Sequence, residues 1–259
     1  MKLGVCTNPA NIQIAADCGY DYLECSLTYL AGLSEEEYQA LLAQKPTFPI
    51  PITCCNGMLP AEVPITGPKA DPQQQIAYVD KAFARASALG IKIVVFGSNT
   101  ARNVPEGACY TEGWRQIAGF LRLCIPYCEK YGITIAIEPL RRVSANILNL
   151  VSEAQILAAL IDHPRITVLA DTFHMLSCHE PWDAMTKAGK LLTHVHISYP
   201  TPDLSTRYYP APDDGCEDYA VIIETLKAMH YEGGISVEAA VRDFPSDCKA
   251  AAECLKPLL

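Results

Sequence analysis

The sequence predicts an α/β fold, a single (β/α)8 TIM barrel spanning residues 1–259. Three observations predict it. Short β-branched runs alternate with longer helical patterns, and this happens eight times. The chain of 259 residues has the length of a one-domain (β/α) barrel, roughly 250 residues. No change of composition and no linker interrupts the alternation. An open doubly wound sheet is the alternative, but the phosphate-binding glycine fingerprint of that fold is missing.

The elements follow in order. Lys2–Cys6 is the first short apolar run. Pro9–Cys18 reads as a helix, with Asn8 as cap and Pro9 at the first position. Tyr22–Cys25 is the second strand. Ser34–Ala43 opens with Ser34 and carries Glu37 three residues later, a capping-box pattern. Ile50–Asn56 is the third strand. Asp71–Leu89 is a long helix capped by Asp71, with Pro72 at its first position and Gly90 as stop. Ile91–Phe96 is the fourth strand, and Thr111–Tyr131 a helix ended by Gly132. Ile133–Glu138 is the fifth strand, followed by the helix Ser152–Asp162. Ile166–Asp171 is the sixth, followed by a short helix, Pro181–Ala188. Leu192–Ser198 is the seventh, followed by the helix Asp218–His230. Gly234–Glu238 is the eighth, and Ser246–Leu255 closes the chain. The longest irregular segments, 57–70, 97–110, 139–151 and 199–217, each follow a strand. In a barrel such loops gather at the face where sites are built.

Composition limits the function. Half the residues are hydrophobic and 19% are charged, enough apolar material for a sizeable core. The net charge is −9 and the longest cationic run is Arg141-Arg142, so nucleic acid is not an expected partner. No apolar run reaches the roughly 18 residues of a membrane span, so no membrane is expected either. The start, MKLGVCTNPA, has neither an apolar h-region nor a cleavage site. The 12 cysteines are scattered and form no CxxC pair. They read as reduced thiols packed as small apolar groups in a cytoplasmic protein.

The chemistry lies at the strand ends. Strand five ends at Glu138, six at Asp171, seven near His196 and eight at Glu238. One carboxylate at a strand end is commonplace, as a helix cap or salt-bridge partner. Four such groups on four consecutive barrel strands converge on one point. Two Glu, one Asp and one His make an oxygen-rich donor set with one imidazole. It suits one divalent ion such as Mn²⁺, Mg²⁺ or Co²⁺, with Zn²⁺ as a further candidate. His194 and His196 point to the same side of their strand. His196, nearer the C-terminal end, is the better ligand, and His194 is expected below it as a supporting or core group. His174 lies three residues past Asp171, placed to be another ligand or to grip substrate.

The segments IEPLRR, ADTFHM, HVHIS and SVEA resemble those of the xylose isomerase-like barrel superfamily, closest to its sugar (phosphate) isomerase/epimerase branch, which includes ketose 3-epimerases. FGSNTARNVPEG and NGMLP…ITGP are similar to loops of that branch. The resemblance covers nearly the whole chain. It implies one divalent metal, usually Mn²⁺, held by Glu138, Asp171, His196 and Glu238. It implies that Glu138 and Glu238 are also the acid/base pair acting on a small sugar. Coordination of a ketose carbonyl and an adjacent hydroxyl acidifies the C–H between them and stabilises an enediolate. Two carboxylates on opposite faces of that carbon then epimerise it, and return of the proton to the neighbouring carbon gives aldose–ketose isomerisation. His174 and Arg207 match substrate-binding positions. Relatives are often dimers or tetramers, which implies a homo-oligomer.

Two departures from the 3-epimerase pattern stand out. Ser144 replaces a usual Glu, which weighs against a free ketose as substrate. Arg207 sits in a longer loop than usual. The extra cation Arg141 favours an acidic sugar or a sugar phosphate, with a solvated loop arginine as the alternative. Asn56 is a candidate donor to a substrate hydroxyl, or a turn-forming Asn before Gly57. Arg102 either contacts substrate or pins its loop. Tyr208, Tyr209 and Trp114 either wall a sugar ring or pack, and Cys6 and Cys55 sit near strand tops. Among competing readings, a sugar lyase or dehydratase on the same barrel uses the same motifs. An endonuclease IV-type nuclease needs further zinc ligands, where this chain has Asn56, Phe96 and Gly97. A non-catalytic barrel would have no need to keep all four donors.

Overall fold

The β-branched runs form a closed parallel barrel. In the computed structural model, which describes residues 1–215 and 218–259, ten strands are seen among the described residues. They are β1 (Lys2–Cys6), β2 (Tyr22–Ser26), β3 (Ile52–Asn56), β4 (Ile93–Phe96), β5 (Thr134–Ile137), β6 (Ile166–Asp171), β7 (Leu192–Ile197), β8 (Tyr199–Pro200), β9 (Arg207–Tyr208) and β10 (Gly234–Val237). Around the barrel the order is β1-β10-β7-β6-β5-β4-β3-β2, while β8 and β9 form a separate antiparallel hairpin. The barrel thus runs in chain order, as right-handed βα units require. Both faces of its strands are covered; every residue of β6, ITVLAD, is buried.

The helices are α1 (Ile12–Asp17), α2 (Leu27–Gly32), α3 (Glu35–Gln44), α4 (Pro72–Leu89), α5 (Asn99–Arg102), α6 (Tyr110–Tyr131), α7 (Val151–Ile161), α8 (Thr172–Ser177), α9 (Asp183–Ala188), α10 (Asp218–Ala228) and α11 (Phe244–Leu255). Their ends follow local chemistry. Ser34 and Glu37 form the reciprocal capping box on α3. Asp71 caps α4, with Pro72 behind it, and Gly90 ends that helix at φ 104°, a conformation that favours glycine. The predicted helix Pro9–Cys18 splits into a 3-10 turn, Pro9–Asn11, followed by α1. The third strand begins at Ile52 rather than Ile50, because Pro51 has no N–H to give to a ladder. Cys216 and Glu217, the last residues of the predicted loop 199–217, lie outside the described residues. No helix among the described residues is long and apolar enough to cross a membrane.

The main core lies between barrel and helices, built from residues such as Leu3, Leu23, Phe83, Phe96, Phe120 and Ile137. The barrel interior divides in two. On one side Val95, Ala136 and Leu169 form a small separate apolar cluster, with Ile93 against it. On the other side the interior is polar, with Glu24, His194, His196 and Ser236 buried. Tyr22 Oη and Ser236 Oγ are 2.9 Å apart there.

Candidate metal centre and cleft

The parallel register aligns the strand ends. Asp171 of β6 sits beside His196 of β7, and His196 beside Ser236 of β10. Glu138 follows β5 directly, its N–H given to Phe96 O at 3.2 Å. Glu238 follows β10, its N–H given to Ile197 O at 3.1 Å. Glu138, Asp171, His196 and Glu238 therefore converge, and one donor atom from each lies within 4.8 Å of every other.

Asp171, Glu238 and His196 each have one atom engaged outside the site and one turned inward. Asp171 Oδ1 caps α8, accepting from the N–H groups of Phe173 at 2.8 Å and His174 at 3.2 Å. Its Oδ2 is left for the site, where Arg207 pairs with it. Glu238 Oε1 accepts from Asn56 Nδ2 at 2.7 Å. Its Oε2 lies 2.6 Å from Arg207 Nη2 and 3.0 Å from His196 Nδ1. His196 Nδ1 also faces Glu138 Oε1 at 3.4 Å and Asp171 Oδ2 at 3.8 Å. Glu138 Oε1 and His196 Nδ1 are both buried, and neither has a hydrogen-bond partner. Two orphaned donor atoms aimed at one point, among three carboxylates, fit a divalent cation.

The carboxylates are electrostatically unequal. Burial pushes the Glu138 carboxyl up to about 7; the charges of Glu238 and Asp171 add to this and His196 opposes it. Burial acts on Glu238 in the same sense, but His196 and Arg207 outweigh it and hold that carboxyl at about 2. Burial also lowers His174 to about 4, against the pull of Asp171, so at neutral pH it is an uncharged ring. A divalent cation at the four donors would draw Glu138 down as well.

The cleft has two lobes. One, of about 470 Å³, is lined by Cys6, Thr7, Ser26 and Tyr29 among others. The second, of about 300 Å³, is lined by Gly97, Glu138, Ser144 and His174 among others. Asn56, Arg207 and Glu238 line both and mark the boundary between them. Of the residues expected at the site, Glu138, Asp171, His196, Glu238, Asn56, His174 and Arg207 are therefore brought together.

Arg102 is not brought into the cleft. It is 0% exposed, and its guanidinium donates to the carbonyls of Phe96 at 2.9 Å, Glu138 at 2.7 Å and Leu148 at 3.3 Å. It ties the ends of β4 and β5 together, which is the pinning role of its two expected ones and takes the place of a substrate contact. Arg141 likewise does not wait for an anion. It donates to the carbonyls of Leu204 and Ser205 and lies 4.6 Å over the Phe173 ring, which Arg207 also overlies at 5.2 Å. Arg141 thereby fastens the β8–β9 hairpin that carries Arg207. Tyr209 is buried against Phe244, and Tyr208 lies beneath Arg242. An aromatic ring that lines the cleft is Tyr29, in α2, which the sequence reading passed over.

Gly97 has a clear reason for being glycine. A Cβ there would collide with Glu138 Oε2. The colliding atom is the far end of a flexible side chain, so the fold can yield at small cost. Gly97→Ala is expected to keep the melting temperature within a few degrees and to lower kcat more than about 10-fold by moving that carboxylate. A variant with full turnover would show that the placement of Glu138 is not demanding.

Glu24 was also missed. It is 0% exposed inside the barrel, 2.7 Å from His194 Nε2 through Oε2 and 3.0 Å from His196 Nε2 through Oε1. The signal in the sequence was a single carboxylate within an otherwise apolar run, YLECS. His194 sits beneath His196 as expected, the two rings 5.1 Å apart and edge-on.

The family model described as "Xylose isomerase-like TIM barrel" matches residues 12–258. The 3-dehydro-D-guloside 4-epimerase of Escherichia coli (strain K12) is 25% identical over 173 residues, 65% of this chain and 63% of that protein's length. The D-psicose 3-epimerase of Ruminiclostridium cellulolyticum is 23% identical over 235 residues, 89% of this chain and 78% of that protein. Among solved structures, D-allulose 3-epimerase from Methylomonas sp. in complex with D-allulose superimposes with a TM-score of 0.84 at 21% identity. That likeness covers 100% of this chain and 97% of that one.

Proposed function

This chain belongs to the xylose isomerase-like TIM barrel family, and from that premise we propose that it is a divalent-metal-dependent isomerase or epimerase of a small sugar or sugar derivative. The observation that carries this reading is the pair Glu138 and Glu238. Both face His196 Nδ1, at 3.4 and 3.0 Å, and both line the cleft. Two relatives named as sugar epimerases support it.

Glu138, Asp171, His196 and Glu238 would hold the ion, Mn²⁺ in our reading, with Mg²⁺, Co²⁺ and Zn²⁺ as alternatives. Once bound, the ion supplies Lewis acidity to a sugar carbonyl and its neighbouring hydroxyl, so that the C–H between them becomes acidic. The protein does the rest. One of the two Glu carboxylates takes the proton from that carbon, and the other returns a proton to it from the opposite face. Asn56 fixes the direction of Glu238 through Oε1. Neutral His174 and charged Arg207 are placed to hold substrate oxygens. The catalyst is read as cytoplasmic, where buried thiols such as those of Cys25, Cys55 and Cys128 stay reduced, with homo-oligomers as one form.

The test is exchange in D₂O. Metal-loaded protein, offered a panel of ketoses, ketose phosphates and keto-sugars, is expected to place deuterium on a carbon next to the carbonyl or on the carbonyl carbon itself. NMR reads the position. A chelator is expected to abolish the exchange and Mn²⁺ to restore it. Release of water from the sugar would replace this reading by a lyase. Absence of exchange across the panel, with metal bound, would count against it.

A further inference from the structure

We propose that Glu24 is a positioning residue of the metal centre: it fixes His196 with its proton on Nε2, so that the Nδ1 lone pair faces the three carboxylates. This rests on the metal-dependent reading above. A neutral imidazole carries one N–H, and the bond made by one nitrogen decides which one carries it. Nε2 of His196 lies 3.0 Å from Glu24 Oε1, and a carboxylate only accepts. Nε2 must therefore be the donor. Nδ1, the other nitrogen, is the buried atom without a partner that looks toward Glu238, Glu138 and Asp171.

His194 completes the device. Its Nε2 lies 2.7 Å from Glu24 Oε2, with Ser236 Oγ 3.3 Å from the same nitrogen. Both Glu24 oxygens are thereby engaged, each by a ring N–H, and the carboxylate cannot turn away from His196. Glu24, His194 and His196 are all 0% exposed, so water does not compete for these bonds. The arrangement also explains why a buried carboxylate stands in the middle of an apolar strand. Its negative charge raises the basicity of the imidazole that would meet a cation.

The test is Glu24→Gln, an isosteric change that swaps one acceptor oxygen for an NH₂ donor. The two rings can then no longer both give an Nε2 proton to residue 24. One ring must change tautomer or lose its bond. Affinity for Mn²⁺, measured by competition with a chelating dye, is expected to fall about 10- to 100-fold. In the zinc-loaded proteins, ¹⁵N-edited NMR of the histidine rings is expected to show two hydrogen-bonded Nε2 protons in the wild type and one in the variant. Unchanged affinity, or unchanged ring protons, overturns the proposal. The wild-type spectrum tests it even if the variant does not fold: a His196 proton found on Nδ1, or no bonded Nε2 proton, overturns it. Wild-type protein that binds no divalent metal sinks the metal reading and this inference together. Wild-type protein that binds metal, beside a variant that binds it equally well, sinks the inference alone.

Discussion

Glu238→Gln is expected to lower turnover by about 10³-fold while the protein keeps its fold, because proton transfer by a placed carboxylate is worth roughly 10² to 10⁴ and this residue is also one of the four proposed metal donors. The structural cost is modest. An amide has the same shape, and its oxygen can keep the Asn56 bond made by Oε1. Its NH₂ then faces Arg207 Nη2, donor against donor, where the carboxylate oxygen had accepted at 2.6 Å. The side chain is 20% exposed, so water can relieve that mismatch, and the loss is about 1 kcal/mol. A melting curve, the metal content of the purified variant and kcat separate the effects. A normal melt with lost turnover is the expected pattern. Wild-type turnover with metal in place would remove Glu238 from the proton-handling pair.

The four donors were legible in the sequence because three of them close a hydrophobic run and His196 stands one residue short of the end of its own. A run such as ITVLAD tells where the strand is and, by ending, where the chain leaves the barrel. The polar residue at that point has nowhere to go but the loop face. His194 and His196 were told apart by the same logic of depth along one strand. Glu24 escaped because its meaning lies in its partners, which are 170 and 172 residues away. Inside one strand it is only a misplaced charge. The β8–β9 hairpin escaped for a related reason. Its strands are two residues each, held by Arg141 through backbone carbonyls that no side-chain pattern announces. α8 is a single short helix whose cap, Asp171, was already spoken for as a ligand. The two roles are compatible because Oδ1 caps and Oδ2 faces the site.

Arg102 is the case where residue type left two roles open, and its substitution is expected to give the largest loss of stability. A cation in a loop after a barrel strand reads as a substrate contact or as a pin for its loop, and here the charge is spent on backbone. Burial lowers its pKa only to about 10, so it remains charged at neutral pH. Its guanidinium satisfies the carbonyls of Phe96, Glu138 and Leu148, and its plane packs with the Phe96 ring at 5.5 Å. Arg102→Met keeps the length and the packing but removes every donor. Phe96 O still accepts from Glu138 N–H, and Leu148 O from Leu140 N–H. The Glu138 carbonyl loses its 2.7 Å donor in a buried place. Hydrogen bonds to a charged donor are worth about 1.5–3 kcal/mol each, and relief of the buried cation offsets part of that. The expected net loss is about 2–4 kcal/mol, or a melting temperature lower by roughly 5–15 °C. Lysine, with one compact head, should recover only part of it. Because the lost bond holds the backbone of Glu138, kcat should fall along with stability while KM changes little. An Arg102→Met variant that melts normally but shows a raised KM would return Arg102 to the substrate and take it away from the strand ends.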